Sequence, residues 1–138
     1  MSTILCIEDE AYLCQNIVEE LVDAGYDVHH ASDGQVGLEM ILKHKPDLVL
    51  CDVTMPRKNG FELLREIRER YPLHAEMPFI FLSALADKDQ VLAGLKNGAD
   101  GYLTKPIDFE MLLMTILTSL RQMEQIKRMR EKVLVLEV

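Results

Sequence analysis

Five short apolar runs, each followed by an amphipathic stretch, recur along the 138-residue chain. Apolar runs bounded by loop residues are strands buried on both faces. Strands that alternate with helical patterns build βα units, so the chain is restricted to a parallel sheet covered by helices on both sides. The runs predict strands at Thr3–Ile7, Asp27–Ala31, Leu48–Asp52, Phe79–Ser83 and Gly101–Thr104. Between them, Leu13, Ile17 and Leu21 stripe a first helix that Gly25 should stop, and Val36, Met40 and Ile41 stripe a second capped by Asp33. Phe61, Leu64 and Ile67 mark a third helix, and Val91, Leu92 and Leu95 a fourth that ends at Asn97-Gly98. Asp108 should cap a fifth.

Composition narrows the classes of function. With 49% apolar residues the chain can bury a core, and its length suits one domain. No apolar run approaches the ~20 residues that span a bilayer, and the N-terminus lacks the basic and hydrophobic regions of a secretory signal, so a cytoplasmic chain without membrane contact is expected. Cys6 and Cys51 lie inside strand patterns and Cys14 on a helix, with no zinc spacing, which reads as reduced, structural thiols. A net charge of −8 argues against direct nucleic-acid binding by the ordered domain. The charge is uneven: five basic and three acidic residues from Arg121 onward make that tail +2 and leave −10 for the rest.

The chemistry sits at strand ends. Glu8-Asp9 closes the first apolar run, Asp52 closes the third ahead of the loop breakers Pro56 and Gly60, and Lys105 follows the fifth. In an open parallel sheet these ends share one edge, where ligands bind. Carboxylates gathered there raise each other's pKa unless a cation joins them, and hard oxygen ligands suit Mg²⁺, which also accepts phosphate oxygens. The cluster reads as a phosphoryl-transfer site. The four histidines, His29, His30, His44 and His74, show no ligand spacing and receive no role.

From about Thr3 to Leu120 the chain resembles the receiver domain of two-component response regulators. The resemblance rests on Glu8-Asp9, on Asp52 followed by Met55-Pro56 and Gly60, on Ser83-Ala84, on Gly98-Ala99-Asp100, and on Tyr102 three residues before Lys105-Pro106. It implies a flavodoxin-like (βα)5 fold with strand order 2-1-3-4-5 and an extended C-terminal helix. It further implies that Asp52 accepts a phosphoryl group from a sensor histidine kinase or phosphotransfer protein. Asp9, Asp52 and the main-chain carbonyl of Thr54 would hold Mg²⁺, with Glu8 acting mostly through coordinated water. Lys105 would pair with the phosphoryl oxygens, and the Ser83 hydroxyl and the Ala84 N–H would hydrogen-bond them. As Ser83 moves toward the phosphate, Tyr102 could turn inward and change a surface read by an effector domain or partner protein. Thr54 and Leu85 occupy positions that tune the lifetime of the acyl phosphate in such proteins.

Three rival readings remain at this stage. A phosphatase of the haloacid-dehalogenase type also uses a strand-end aspartate, Mg²⁺ and a lysine, but needs a carboxylate two residues after the nucleophile, where this chain has Thr54. A flavin or nucleotide binder would want small residues and free amides after the first strand, where Glu8-Asp9-Glu10 stands. An interaction module with a dead site would not need the full set of acids, serine and lysine. Turnover of an outside substrate is not expected.

The last helix carries more apolar surface than the sheet can cover. Leu113, Ile116, Leu120 and Met123 repeat at 3-4-3 spacing, and Ile126, Met129, Val133 and Leu136 repeat likewise. The expectation is a receiver domain over 1–122 and a helical extension over 123–138 that projects from about Met123, leads toward an absent effector and pairs with its copy in a homodimer.

Overall fold

The computed structural model describes residues 1–84 and 88–137, with side chains up to residue 134. Five strands, β1 (Thr3–Ile7), β2 (Asp27–Ala31), β3 (Leu48–Asp52), β4 (Phe79–Ser83) and β5 (Gly101–Thr104), coincide with the predicted runs. They form one parallel sheet in the order β2-β1-β3-β4-β5. This is the flavodoxin-like order that the resemblance implied.

Successive strand residues point to opposite faces, so each strand feeds two cores. Leu5, Ile7, Val49, Cys51, Phe79 and Phe81 face α2 (Gly34–His44) and α3 (Gly60–Arg70), where Leu38, Ile41, Leu63, Leu64 and Ile67 meet them. Ile4, Cys6, Leu48, Leu50, Ile80 and Leu82 face α1 (Ala11–Asp23) and α5 (Phe109–Glu137) through Ile17, Leu21, Leu112 and Ile116. β3 and β4 are buried along their whole length, which is why they read as unbroken apolar runs.

Local signals set the helix ends. Gly25 adopts φ +97, and the N–H groups of Gly25 and Tyr26 return to the carbonyls of Val22 and Leu21, closing α1 as a left-handed C-terminal cap. Asp33 accepts from Val36 N at 2.9 Å, and Asp108 accepts from Met111 N at 3.2 Å, as predicted for the second and fifth helices. Asn59 and Glu62 form a reciprocal capping box at the start of α3 that the apolar pattern alone did not reveal.

Two expectations need correction. On α4 (Lys88–Lys96) Leu92 and Leu95 are 39% and 45% exposed, and Gly94 is the buried residue among those described. The helix lies beyond β4 over β5, where an aromatic ring fills the space a large inward side chain would need. α5 also stays beside the domain further than the stripe suggested. Met123 is half-buried, and Arg130 Nη2 lies 2.6 Å from Glu76 Oε1, which ties the helix to the segment ahead of β4. Along this stretch Ile126, Met129, Val133 and Leu134 are exposed, and the Leu136 side chain lies outside the described residues.

Candidate phosphoacceptor site

The β1 and β3 strands run side by side, with Ile7 opposite Cys51, so Glu8-Asp9 and Asp52 leave the sheet at the same edge. β4 lies beyond β3 and β5 beyond β4, with Ser83 opposite Thr104, which brings Ser83 and Lys105 to that edge. Lys105 N donates to Ser83 O at 2.8 Å and fixes the base of the lysine. The peptide between Lys105 and Pro106 is cis.

Three carboxylates converge. One oxygen from each of Glu8, Asp9 and Asp52 lies within 4.8 Å of the others, with Glu8 and Asp52 buried and Asp9 exposed. Lys105 Nζ reaches between the two buried acids, 3.3 Å from Asp52 Oδ2 and 3.2 Å from Glu8 Oε1. Glu10 stands further out, 3.8 Å from the same ammonium. The other Asp52 oxygen, Oδ1, accepts from Thr54 N at 3.4 Å, and Glu8 Oε1 accepts from Glu10 N at 3.1 Å. Glu8 Oε2 lies 3.1 Å from Lys105 Nζ, yet out of line for a hydrogen bond, and it has no other partner.

Burial is the main cause of the electrostatic state here. It lifts Glu8 from the ordinary carboxyl range to about 7, with the Asp52 charge adding to the rise and Lys105 offsetting part of it. Burial likewise raises Asp52, against the pull of Lys105. Burial works against the Lys105 ammonium, but Asp52 and Glu8 outweigh it, so its pKa ends above the usual lysine value. Two buried acids share one cation, and a second positive charge would be accommodated.

The loop from β3 to α3 is held at several points. Gly60 N donates to Val53 O at 2.9 Å, and Lys58 N to Pro56 O at 2.8 Å. Arg57, at φ +67, pairs with the buried Asp33, whose second oxygen caps α2. A Cβ on Gly34 would fall 2.1 Å from Lys58 O, so the loop lies directly on the start of α2. None of these anchors was foreseen from the sequence. Asp33 had been recognised only as a cap, and long-range pairing of Arg57 leaves no local signal.

The remaining residues take the following places. Ser83 is 1% exposed at the end of β4, and Ala84 follows it in an exposed bend. Tyr102 is half-buried on β5, its ring 6.2 Å from that of Phe81 in an edge-on arrangement. Leu85 lies outside the described residues. Asp100, noted in the sequence as part of a motif, serves the fold: it accepts from Phe79 N at 2.8 Å and pairs with Arg68, which also binds the carbonyls of Ala75, Met77 and Gly98. Beside the acids a hollow of about 420 Å³ is lined by Ala11, Cys14, Val18 and Ala31 among others and is mostly apolar. Among the described residues no helix is long and apolar enough to cross a membrane.

Residues 4–117 match the model of the response regulator receiver domain. The response regulator ArlR of Staphylococcus saprophyticus is 41% identical over 125 residues, covering 91% of this chain and 55% of that protein. The transcriptional regulatory protein RprY of Bacteroides fragilis is 42% identical over 119 residues, covering 86% of this chain and 49% of that protein. The chain thus spans about half the length of these curated relatives. A putative response regulator from Chloroflexus aurantiacus superposes with a TM-score of 0.83 at 32% identity, covering 87% of this chain and 98% of that one. The chemotaxis response regulator CheY4 of Vibrio cholerae gives 0.80 at 31%, covering 86% and 98%. The chain belongs to the response regulator receiver domain family, and its function is phosphorylation-dependent signalling.

Proposed function

We propose that Asp52 is the phosphoacceptor and that Glu8, Asp9, Thr54, Ser83, Ala84, Tyr102 and Lys105 are the residues that serve it. The observation that carries this reading is the Lys105 ammonium held between two buried carboxylates, Glu8 and Asp52, with Asp9 alongside. A buried carboxylate with one oxygen on a cation and the other on a backbone N–H is aimed and kept from rotating. In the reaction an Asp52 oxygen attacks the phosphorus of a phosphohistidine, the P–N bond breaks, and the imidazole leaves with the bond's electron pair and gains a proton. The product is an acyl phosphate on this chain. The phosphodonor is a sensor histidine kinase or phosphotransfer protein.

Mg²⁺ fits the donor set: three carboxylates converge on one point, two of them buried, and share a single lysine, an arrangement of hard oxygen ligands that suits a hard cation. Asp9, Asp52 and the Thr54 carbonyl would hold it, Glu8 through water, and when bound it would neutralise charge on the transferring phosphoryl oxygens. Lys105 shifts from the free carboxylate to the phosphoryl oxygens, while the Ser83 hydroxyl and the Ala84 N–H hydrogen-bond others. Nothing in this set supplies a second acid for outside phosphoesters, since position 54 is threonine, so the protein acts on its own aspartate.

The output reaches an effector domain or partner through the surface around Tyr102. The exposed Ile126, Met129, Val133 and Leu134 on α5 favour pairing with a second copy, which would present two effectors together. The net charge of −8 disfavours direct nucleic-acid contact by this domain, and the setting is the cytoplasm.

Calorimetric titration with Mg²⁺ tests the ligand set. Asp9→Ala should lose most of the affinity and Lys105→Ala should keep it. Wild-type affinity in Asp9→Ala would overturn the assignment.

A further inference from the structure

We propose that Gly94 is the positioning residue for Tyr102: the hydrogen in place of a side chain makes the slot on α4 in which the ring sits, and so sets how readily the ring turns inward. The proposal rests on the reading of Tyr102 as the switch and goes beyond it to what controls the switch.

Glycine weakens a helix interior relative to alanine, so a buried glycine there has a packing reason. A Cβ on Gly94 would meet three ring atoms: Tyr102 Cδ2 at 3.0 Å, Tyr102 Cε2 at 3.2 Å and Phe81 Cδ2 at 3.3 Å. The other close glycines of the helices differ in kind. Gly34 and Gly60 abut backbone oxygens, of Lys58 and Asp52, and Gly37 abuts Ile7 in the closed core. Those neighbours have no other place to go. Tyr102 does, because it is half-buried on the last strand of the sheet and its ring can swing out about χ1. Phe81 is fully buried and braced edge-on by Phe61 and Phe79, so it cannot yield in the ring's stead.

A methyl at position 94 therefore disfavours the ring position packed against α4 relative to one swung away from it. The two states differ in population, and whatever binds the inward state better must overcome the added penalty. The three atoms nearest a Cβ on Gly94 belong to Tyr102 and Phe81 and not to an acid, lysine or serine of the site, so phosphoryl chemistry at Asp52 should continue.

Three measurements on Gly94→Ala test this: Tyr102 ring resonances with and without a beryllofluoride phosphoryl mimic, the apparent affinity for that mimic in Mg²⁺, and labelling of Asp52 by acetyl phosphate. The expected result is an outward-shifted ring signal, about fivefold or more weaker mimic affinity, and unchanged labelling. In a Tyr102→Ala background the same substitution should leave mimic affinity unchanged, because the ring it acts through is gone. That second background keeps the test meaningful if Gly94→Ala alone folds poorly. A wild-type ring response and affinity in Gly94→Ala would overturn the role of Gly94 while leaving the switch intact. A Tyr102 ring in the native protein that ignores the mimic would overturn the switch reading and this one with it.

Discussion

Lys105 is the residue on which the site's charge balance turns. It alone among the described cations lies within 4 Å of Glu8 and Asp52, and both acids are pushed toward the protonated form by burial. Lys105→Ala should still accept a phosphoryl group, at a rate lowered about tenfold or more, because positioned electrostatics rather than covalent help carries this chemistry. The same variant should leave Tyr102 unresponsive, which ring resonances would report. Asp33 acts at a distance from the reaction. The Val36 N–H, and then Arg57, hold its carboxyl below the usual value, so ionised Asp33 stabilises the fold. That stability is present above the ordinary carboxyl pKa of about 4 and is lost as pH falls through the lower folded value. Asparagine caps a helix as well as aspartate does, so Asp33→Asn isolates the exposed-side pairing with Arg57. Urea unfolding should show the variant weaker by about 0.5 kcal/mol at pH 7, with the gap closing below pH 4. A gap that is constant with pH would contradict the assignment.

At the scale of elements, the five strands were legible because burial on both faces writes itself as apolar runs, and β3 and β4 are the purest cases. The acids and the lysine were legible because a parallel sheet collects its strand ends at one edge. The anchoring of the β3–α3 loop was not, because contacts such as Arg57 with Asp33 and Lys58 with Gly34 join residues more than twenty apart and carry no period. α4 misled for a related reason. Its leucines are spaced as an inward stripe would be, but they face outward because the inward position is a glycine shaped to a ring on β5. The loop contact gives a direct test: Gly34→Ala would place a methyl against Lys58 O, so the melt should show a loss of about 1–3 kcal/mol together with weaker Mg²⁺ binding, as the Thr54 segment shifts. Loss of stability with unchanged Mg²⁺ affinity would separate the loop from the metal site.

For the whole molecule, α5 runs 29 residues, roughly 43 Å at 1.5 Å per residue, and only its first half packs on the sheet. The ion pair of Arg130 with Glu76 aligns the remainder along the domain, while Ile126, Met129 and Val133 stay exposed. Sedimentation at high concentration should show a dimer for the intact chain and a monomer for Met129→Glu/Val133→Glu. A monomer for both would remove the helix as a pairing surface. The central claim is that Asp52 is the phosphoacceptor, and intact-mass spectrometry after incubation with acetyl phosphate and Mg²⁺ tests it most directly. The protein should gain a single phosphoryl group, labile to base and hydroxylamine and stable to acid, and Asp52→Asn should gain none. Equal labelling of both proteins would contradict the account.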